Sequence, residues 1–236
     1  MIERYQYSEE GTIHHMMCDL SLIESAPDES KPILLWINIK YPTIDEPIED
    51  LTAKLIGSLD ATFVARKSED EWIEFFFYAS SAKGFENIAK EIVSGYEYDM
   101  GSFKDHKWSL YLDKLYPDSY QLILIQNQKI FAELSKEGDD FSIAREIEFY
   151  LSFQTPTSRD RAIEQIRGSS ELKIADTIES DGDYSYSLIA TIVASLDSEL
   201  IDELSSMLYE IALGSHAIYE GWSTVLGRDY LALEDL

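Results

Sequence analysis

Histidine and cysteine, whose side chains often bind metals or act as nucleophiles, are few in this chain and are rarely close together. Of the four histidines, His14 and His15 are adjacent and lie near the only cysteine, Cys18. Adjacent residues on a strand point to opposite faces, so both histidines would ligate one metal ion only from a loop. With a single cysteine, the chain can form neither an intramolecular disulfide nor a cysteine-based zinc site. We therefore expect no metal site and no cofactor.

Motifs that bind phosphates or activate a serine nucleophile are absent from the sequence. No stretch matches G-x-x-x-x-G-K, G-x-G-x-x-G or G-x-S-x-G. Aspartate and glutamate together number 45. Carboxylate pairs at spacings suited to acid–base catalysis therefore arise by chance and indicate no active site. We predict a protein that is not an enzyme, and we keep as an alternative a metal-dependent hydrolase that uses these carboxylates.

The charge balance indicates which partners the chain attracts. Against 45 acids stand 19 lysines and arginines, which gives a net charge of −26. Residues 139–236 hold 20 acids and 6 bases, and residues 1–138 hold 25 acids and 13 bases, so both halves are acidic. Such a surface repels nucleic acids and anionic membranes and attracts basic protein segments. A plainer alternative is that the charge only keeps the protein soluble.

The hydropathy of the chain points neither to a membrane nor to export. The start, Met1–Gln6, lacks the basic-then-apolar layout of a signal peptide, and the apolar run Ile33–Ile37 is interrupted at Asn38 and Lys40. Hydrophobic residues make up 45% of the chain, which is enough to build folded cores. We expect a folded cytoplasmic protein.

Hydrophobic periodicity predicts the order strand, helix, strand, strand, helix, strand in the first half. A further strand at Asp19–Glu24 is expected within the weakly patterned stretch Met1–Ser30. The other predicted elements are a strand at 33–39, a helix at 49–56 that ends before Gly57, a hairpin of strands at 61–66 and 72–78, a helix at 85–92 and a strand at 96–100.

Two helices are predicted as a connector after this first half. The first, Asp105–Tyr116, carries Trp108, Tyr111 and Leu115 at helical spacing and ends at Pro117, and the second continues to about Lys136. We place the domain boundary at the break Glu137–Asp140. The expected domains are residues 1–137, with the connector at about 105–136, and residues 138–236.

The second half repeats the same order of elements. The predicted elements are a strand at 143–153, a helix from Thr157 to Gly168, a strand at 172–178, a turn at Asp181-Gly182, a strand at 184–192, a helix capped by Asp197 and closed by Gly214, and a strand at 217–225. Arg145 is the one exception on the apolar side of the first strand. The order predicts an α+β fold of two ferredoxin-like βαββαβ sandwich modules.

The four tryptophans are expected mainly in the cores, where most tryptophans lie. Trp222 differs from Trp36, Trp72 and Trp108 because it comes directly after Gly221 in a polar setting near the chain end. It is the strongest candidate among them for an interface, with core packing as the competing interpretation.

Residues 138–227 resemble the regulator of ribonuclease E activity B family. The resemblance is carried by Gly138-Asp139-Asp140 with Arg145, the strand that ends at Phe153, Arg159 in the next helix, the strand Tyr184–Leu188, the helix Leu200–Leu213 and the closing Tyr219-Glu220-Gly221-Trp222. That tetrapeptide looks like the family's Tyr-Asp-Gly-Trp signature. Glu220 replaces the aspartate, and Gly214–Ile218 replaces the paired glycines that usually precede the signature.

The part before it is similar to a bacterial domain of unknown function that often precedes this module. The similarity rests on the hairpin Thr62–Ala79 and on Asp105, Trp108, Tyr111, Leu115, Tyr116 and Pro117. It implies a fold but no activity.

The C-terminal resemblance implies a small acidic bacterial protein that binds an RNA-degrading endonuclease and modulates it without chemistry of its own. We expect the partner to be a ribonuclease or another protein with a basic segment, bound through Tyr219, Glu220, Gly221 and Trp222. An immunity-type protein that neutralises a basic toxin nuclease is an alternative that the sequence does not separate from this.

Overall fold

The computed structural model describes residues 2–9, 12–40, 47–69 and 71–234. The chain forms two compact units, Met1–Asp118 and Ser119–Leu236. The second predicted connector helix therefore lies wholly in the second unit, because its apolar side packs there. The fold class is α+β, with an antiparallel sheet of six strands in the first unit and one of four strands in the second.

The described residues of the first unit form six strands, two α-helices and two short irregular helices. In chain order these are β1 Ile2–Glu9, β2 Thr12–Asp19, a 3₁₀ helix Leu20–Glu24, β3 Ile33–Lys40, α1 Ile48–Ser58, β4 Thr62–Glu69, β5 Trp72–Ala79, α2 Phe85–Val93, β6 Tyr98–Lys104 and a π-helical turn Tyr111–Leu115. The order of strands across the sheet is β1-β2-β4-β5-β3-β6. The predicted hairpin is confirmed as β4 and β5.

One face of the six-stranded sheet is covered by α1 and α2. Alternate residues of β3 and β5 point to this face and are buried, and Leu51 and Leu55 of α1 and Phe85 and Ala89 of α2 pack against them. This alternation is the one that identified the two strands in the sequence, since only one set of side chains in each strand meets the helices.

The opposite face is covered in part by the segment after β6. Trp108 is buried and its ring stacks on Tyr78 of β5 with centroids 4.1 Å apart, while its Nε1 donates to the Lys31 carbonyl at 3.0 Å. The Tyr111 hydroxyl donates to the Asp19 carbonyl at 2.9 Å, and the Tyr5 hydroxyl donates to the Leu115 carbonyl at 2.8 Å. This segment therefore encloses a second apolar layer.

Asp105 fixes the start of the covering segment. Its carboxylate accepts hydrogen bonds from the backbone amides of Ser109 and Leu110 and from the Tyr78 hydroxyl. Burial acts to raise the pKa of Asp105, but these three donors outweigh it and lower the pKa. Trp108 itself has φ of 54°, so the helix predicted at Asp105–Tyr116 begins only after it.

Three predictions for the first unit differ from the structure. The stretch Met1–Ser30 contains the hairpin of β1 and β2, whereas Asp19–Glu24, predicted as a strand, is a 3₁₀ turn at whose start the Ser21 amide bonds to the Asp19 side chain. α1 continues through Gly57, because nothing there requires a left-handed residue. β4 continues to Glu69, beyond the predicted end of that strand at residue 66, and Asp70, in the connection to β5, lies outside the described residues.

Between residues 119 and 234, the second unit has four strands and four helices. In chain order these are α3 Ser119–Lys136, β7 Arg145–Phe153, α4 Pro156–Ser169, β8 Lys173–Glu179, β9 Tyr186–Ala194, α5 Ser198–Gly214, β10 Ile218–Thr224 and α6 Gly227–Glu234. The order of strands is β10-β7-β9-β8, and all neighbours are antiparallel. α6 was not predicted.

The core of this unit lies between one face of the sheet and the helices. Ile147, Phe149, Leu151 and Phe153 of β7 are fully buried there, and α5 packs against both α3 and α4. Asp197 begins α5, and its carboxylate accepts a hydrogen bond from the Leu200 amide at 3.0 Å, as predicted. α4 is instead capped by Thr155, two residues before the predicted Thr157.

Candidate functional site

The tetrapeptide Tyr219–Trp222 lies in β10, at the edge of the four-stranded sheet. Its register against β7 shifts between Tyr219 and Gly221, so Glu220 and Gly221 together oppose Tyr150 in a β-bulge. Gly221 has φ of 109°, which side chains other than glycine's rarely permit. The glycine is therefore explained by backbone geometry.

Trp222 is a core residue and not an exposed anchor. Its side chain packs in the second unit's core, near the ring of Phe131 at 5.7 Å, and 5% of the residue is exposed. The indole Nε1 donates to Asn127 Oδ1 of α3 at 2.9 Å. Between the two interpretations of Trp222, the structure supports packing.

Asn127 connects α3 to α5 as well as to β10. Its Nδ2 donates to Asp202 Oδ1 at 2.8 Å and to Ser205 Oγ at 3.2 Å, so both ends of the buried amide are bonded. Ser205 in turn accepts from the Tyr219 hydroxyl at 2.9 Å. We call Asn127, Asp202, Ser205, Tyr219 and Trp222 the α3 network.

Burial perturbs two members of this network. It raises the pKa of Tyr219 to about 12, with the bond to Ser205 acting in the opposite direction. It also raises the pKa of Asp202, against the lowering effect of the Asn127 amide. Both shifts come from removing a charged form from water. Sequence reasoning missed Asn127 and Ser205; the available signal was an amide within the apolar stretch of α3.

The residues Gly138–Asp140 and Arg145 form a second interior cluster. The side chains of Arg145 and Asp139 are fully buried and form an ion pair. The Arg145 guanidinium also donates to the Asp140 carbonyl at 3.2 Å, and Asp139 Oδ1 accepts from the Gly227 amide at 2.8 Å. A Cβ on Gly227 would stand 2.6 Å from Arg145 Nη1, so any larger residue there would displace the Arg145 guanidinium. The charged side chain of Arg145 can therefore lie in the interior, because Asp139 provides the opposite charge beside it.

Arg159 holds α4 to the strands. Its guanidinium lies 5.8 Å from the centre of the Tyr186 ring and 3.7 Å from Glu179. Its side chain is largely buried by these contacts. The residues that carry the family resemblance are therefore mostly structural, and Glu220 is the exposed side chain of the tetrapeptide.

A polar cavity of about 270 Å³ opens in the first unit, on strands β3, β4 and β5. It is lined by Asn38, Lys67, Glu69, Trp72 and Glu74. Burial raises the pKa of Glu74, Lys67 opposes the shift and Glu69 reinforces it. The Lys67 Nζ lies 3.2 Å from Glu69 Oε2, so the ammonium group of Lys67 in the cavity already forms an ion pair.

The soft metal ligands noted in the sequence are not grouped. In β2, His14 is buried and stacks on Tyr7, while the next residue, His15, is exposed. Cys18 is fully buried, and burial raises its pKa to about 12, with Asp19 contributing. Among the described residues no three histidine, cysteine or acidic side chains form a group that would hold a metal ion. The same residues include no helix long and apolar enough to cross a membrane.

Comparison with known proteins gives a partial match in each unit. A regulator of ribonuclease activity B from Idiomarina loihiensis is 26% identical over 116 residues, which covers 48% of this chain and 91% of that protein. This relative has the same description as the family whose model matches residues 124–224 of the chain.

Two solved structures show weak similarity. An aspartate kinase from Clostridium acetobutylicum has a TM-score of 0.24 at 9% identity over 77% of this chain, which spans 33% of the kinase chain. A protein of unknown function from Galdieria sulphuraria has a TM-score of 0.25 at 7% identity, over 83% of this chain and 99% of its own. At these TM-scores neither structure bears on the fold.

Both resemblances seen in the sequence are confirmed by family models. The match to the family of unknown function DUF695 covers residues 3–116, within the first compact unit. Residues 124–224, which include the α3 network and the Arg145–Asp139 pair, match the family Regulator of ribonuclease activity B.

Proposed function

We propose that this protein binds a ribonuclease and modulates its activity without catalysing a reaction itself. The observation that carries the proposal is the match of residues 124–224 to the family Regulator of ribonuclease activity B. The curated relative with that description is covered over 91% of its length, so the similarity includes nearly the whole of that protein. The partner would be met in the cytoplasm.

The chemistry of the second unit supports a role in binding. Three side chains that carry the family resemblance bond to partners in the interior: Trp222 to Asn127, Tyr219 to Ser205 and Arg145 to Asp139. A catalytic group has to reach a substrate, whereas these groups hold helices and strands together. The net charge of −26 favours association with a basic region of the partner.

The tetrapeptide takes part in binding, on this proposal, through Glu220. Tyr219 and Trp222 are fixed by the α3 network and Gly221 forms the bulge, so these three shape the strand that presents Glu220. Replacing Trp222 would disrupt the core, at a cost of about 3–5 kcal/mol. Loss of binding in such a variant would therefore not identify a contact.

We also propose that each unit contains a ferredoxin-like sandwich. In the second unit, β7, α4, β8, β9, α5 and β10 are arranged in the order βαββαβ, and the sheet order β10-β7-β9-β8 corresponds to 4-1-3-2. In the first unit, β3 to β6 with α1 and α2 have the same element order and the same relative strand order. The hairpin of β1 and β2 extends that sheet beyond β4.

The test is affinity capture with an RNA-cleavage assay on the captured proteins. The tagged full chain is used to capture proteins from lysate of its own organism, with washes near physiological salt, where charges are screened over about 8 Å. Each captured ribonuclease is then purified and its cleavage rate measured with and without this protein. A changed rate, with no cleavage by this protein alone, supports the proposal.

Two outcomes would contradict it. Cleavage of RNA by this protein alone would make it an enzyme. If no ribonuclease is captured, and the purified ribonucleases of the organism cleave at unchanged rates, the protein is not their modulator. Capture of a toxin nuclease encoded beside it would favour the immunity role.

A further inference from the structure

The face of the four-stranded sheet opposite its helices presents exposed side chains from all four strands. In β7 the core takes Ile147, Phe149 and Leu151, so the intervening Glu146 and Glu148 point the other way. Cross-strand register brings Val193 opposite Glu146, and it brings Ile218 and Ile178 to either side of the bonded pair Ser152–Ser187. We call the surface formed by Glu146, Glu148, Ile178, Val193, Ile218 and Glu220 the open face.

Apolar and acidic side chains alternate on the open face. Val193 is 60% exposed, Ile178 45% and Ile218 43%. Between Ile218 and Ile178 lie two small serines, and three strand spacings separate the two isoleucines by about 14 Å. Glu146 and Glu220 are exposed acids on the same surface, and Glu148 bonds to the Tyr150 hydroxyl.

We propose that the open face is the surface through which this protein binds a basic segment of its ribonuclease partner, one with apolar residues between its cations. The inference rests on the proposed function and adds the surface and the chemistry of the bound segment. Exposed isoleucine and valine supply contacts that persist in salt, and the carboxylates select the cations and accelerate association.

Charge argues against other occupants of the open face. A second copy of this chain would bring another net charge of −26 against the same carboxylates. Nucleic acids and anionic lipids are repelled for the same reason. Lys173 also lies on this face, opposite Thr191, but it is outnumbered by the acids.

The test compares two variants with the same change of charge. The first is the double variant Glu146→Lys, Glu220→Lys, which alters the open face. The control is the double variant Glu203→Lys, Glu210→Lys, at exposed positions of α5. Affinity for the captured ribonuclease is measured at two salt concentrations. We expect the open-face variant to lose at least about tenfold in affinity, whereas the α5 variant loses much less.

The double variant Val193→Ser, Ile218→Ser tests the apolar contacts and should weaken binding at high salt as well.

The outcomes separate the surface from the function. Equal losses in the two charge variants, with the serine variant binding normally, would overturn the open face while the ribonuclease interaction stands. If no ribonuclease binds the native chain, the function fails, and the surface is tested with a synthetic peptide that alternates arginine and leucine. Amide shifts in β7, β9 and β10 of the isotope-labelled full chain would support the open face, and shifts confined to helices would overturn it.

Discussion

Strands β3 to β6 of the first unit have the same relative order as the four strands of the second unit, but the two sheets are covered differently. In the first unit, α1 and α2 cover one face, and the segment that contains Trp108 and Tyr111 covers much of the other. In the second unit the helices lie on one face, and the other exposes Val193, Ile178 and Ile218. The same topology therefore serves as an enclosed module in one half and as a module with a free surface in the other.

The difference shows how a common framework is adapted by the segments that flank it. After β6 the chain folds back over the sheet of the first unit, held by the stacked Tyr78–Trp108 pair. In the second unit the additional helix α3 precedes the first strand and joins the helix layer through Asn127. Only the second arrangement leaves a sheet face exposed, because a covering segment like that of the first unit would occupy it.

The largest effect should come from removing the cover of the first unit. Trp108→Ala should lower the free energy of unfolding of this unit by about 3–5 kcal/mol, because a fully buried indole and its stack on Tyr78 are lost. Cys18, the only cysteine, is buried in this unit, so its rate of labelling by a thiol reagent reports the opening. Tyr98→Ala, at a 36% exposed position, is the control. Unchanged Cys18 labelling in the Trp108 variant would show that the cover is not essential.

A somewhat smaller loss is expected in the second unit from Asp139→Asn. The asparagine can still accept from the Gly227 amide, but the buried Arg145 charge loses its counter-ion, which costs about 3 kcal/mol. Hydrogen exchange of the β7 amides should accelerate, while Cys18 labelling stays slow. Asp160→Asn, at an exposed carboxylate, serves for comparison. Acceleration of Cys18 labelling to the same extent would mean that the units do not respond independently.

The smallest effect concerns the polar cavity of the first unit. Burial raises the pKa of Glu74 above its value in the unfolded chain. The stability that the Glu74 carboxyl contributes is therefore fully present below the unfolded pKa and is lost as pH rises through the folded pKa. Glu74→Gln should therefore be more stable than the native protein at neutral pH. The advantage should shrink towards acidic pH, in urea denaturation at several pH values. If the Glu74→Gln variant is more stable by the same amount at every pH, the effect comes from packing and not from the charge. Glu91→Gln, at an exposed position, is the control and should not change the stability.

Much of the framework was predictable because alternation and helical periodicity record which side of each element meets a core. The strands β3 to β5 and β7 to β10 were identified in this way. The hairpin of β1 and β2 was not, since its residues alternate weakly and their pairing depends on contact with β4. From the sequence we placed the domain boundary after α3, whereas the structure includes α3 in the second unit. The packing of α3 on α5 is a tertiary property, and the sequence pattern does not record it.

The candidate site was predictable in position but not in orientation. Tyr219, Gly221 and Trp222 could be selected by resemblance, yet their inward direction depends on Asn127 and Ser205, which are distant in sequence. Arg145 appeared as an exception on an apolar strand, and its partner Asp139 was six positions away in a presumed break. The open face was not foreseen, because single exposed valines and isoleucines look like core residues in a sequence.

The bulge at Glu220 and Gly221 has a further consequence for specificity. β10 is an edge strand, and an unpaired edge is a template on which any extended chain can add itself. The extra residue breaks the regular repeat of backbone donors and acceptors, and it places a charge where an incoming strand would run. The edge is thereby protected from indiscriminate pairing and aggregation. On the proposed function, recognition is then left to the side chains of the open face, where the sequence and charge of the partner decide the outcome.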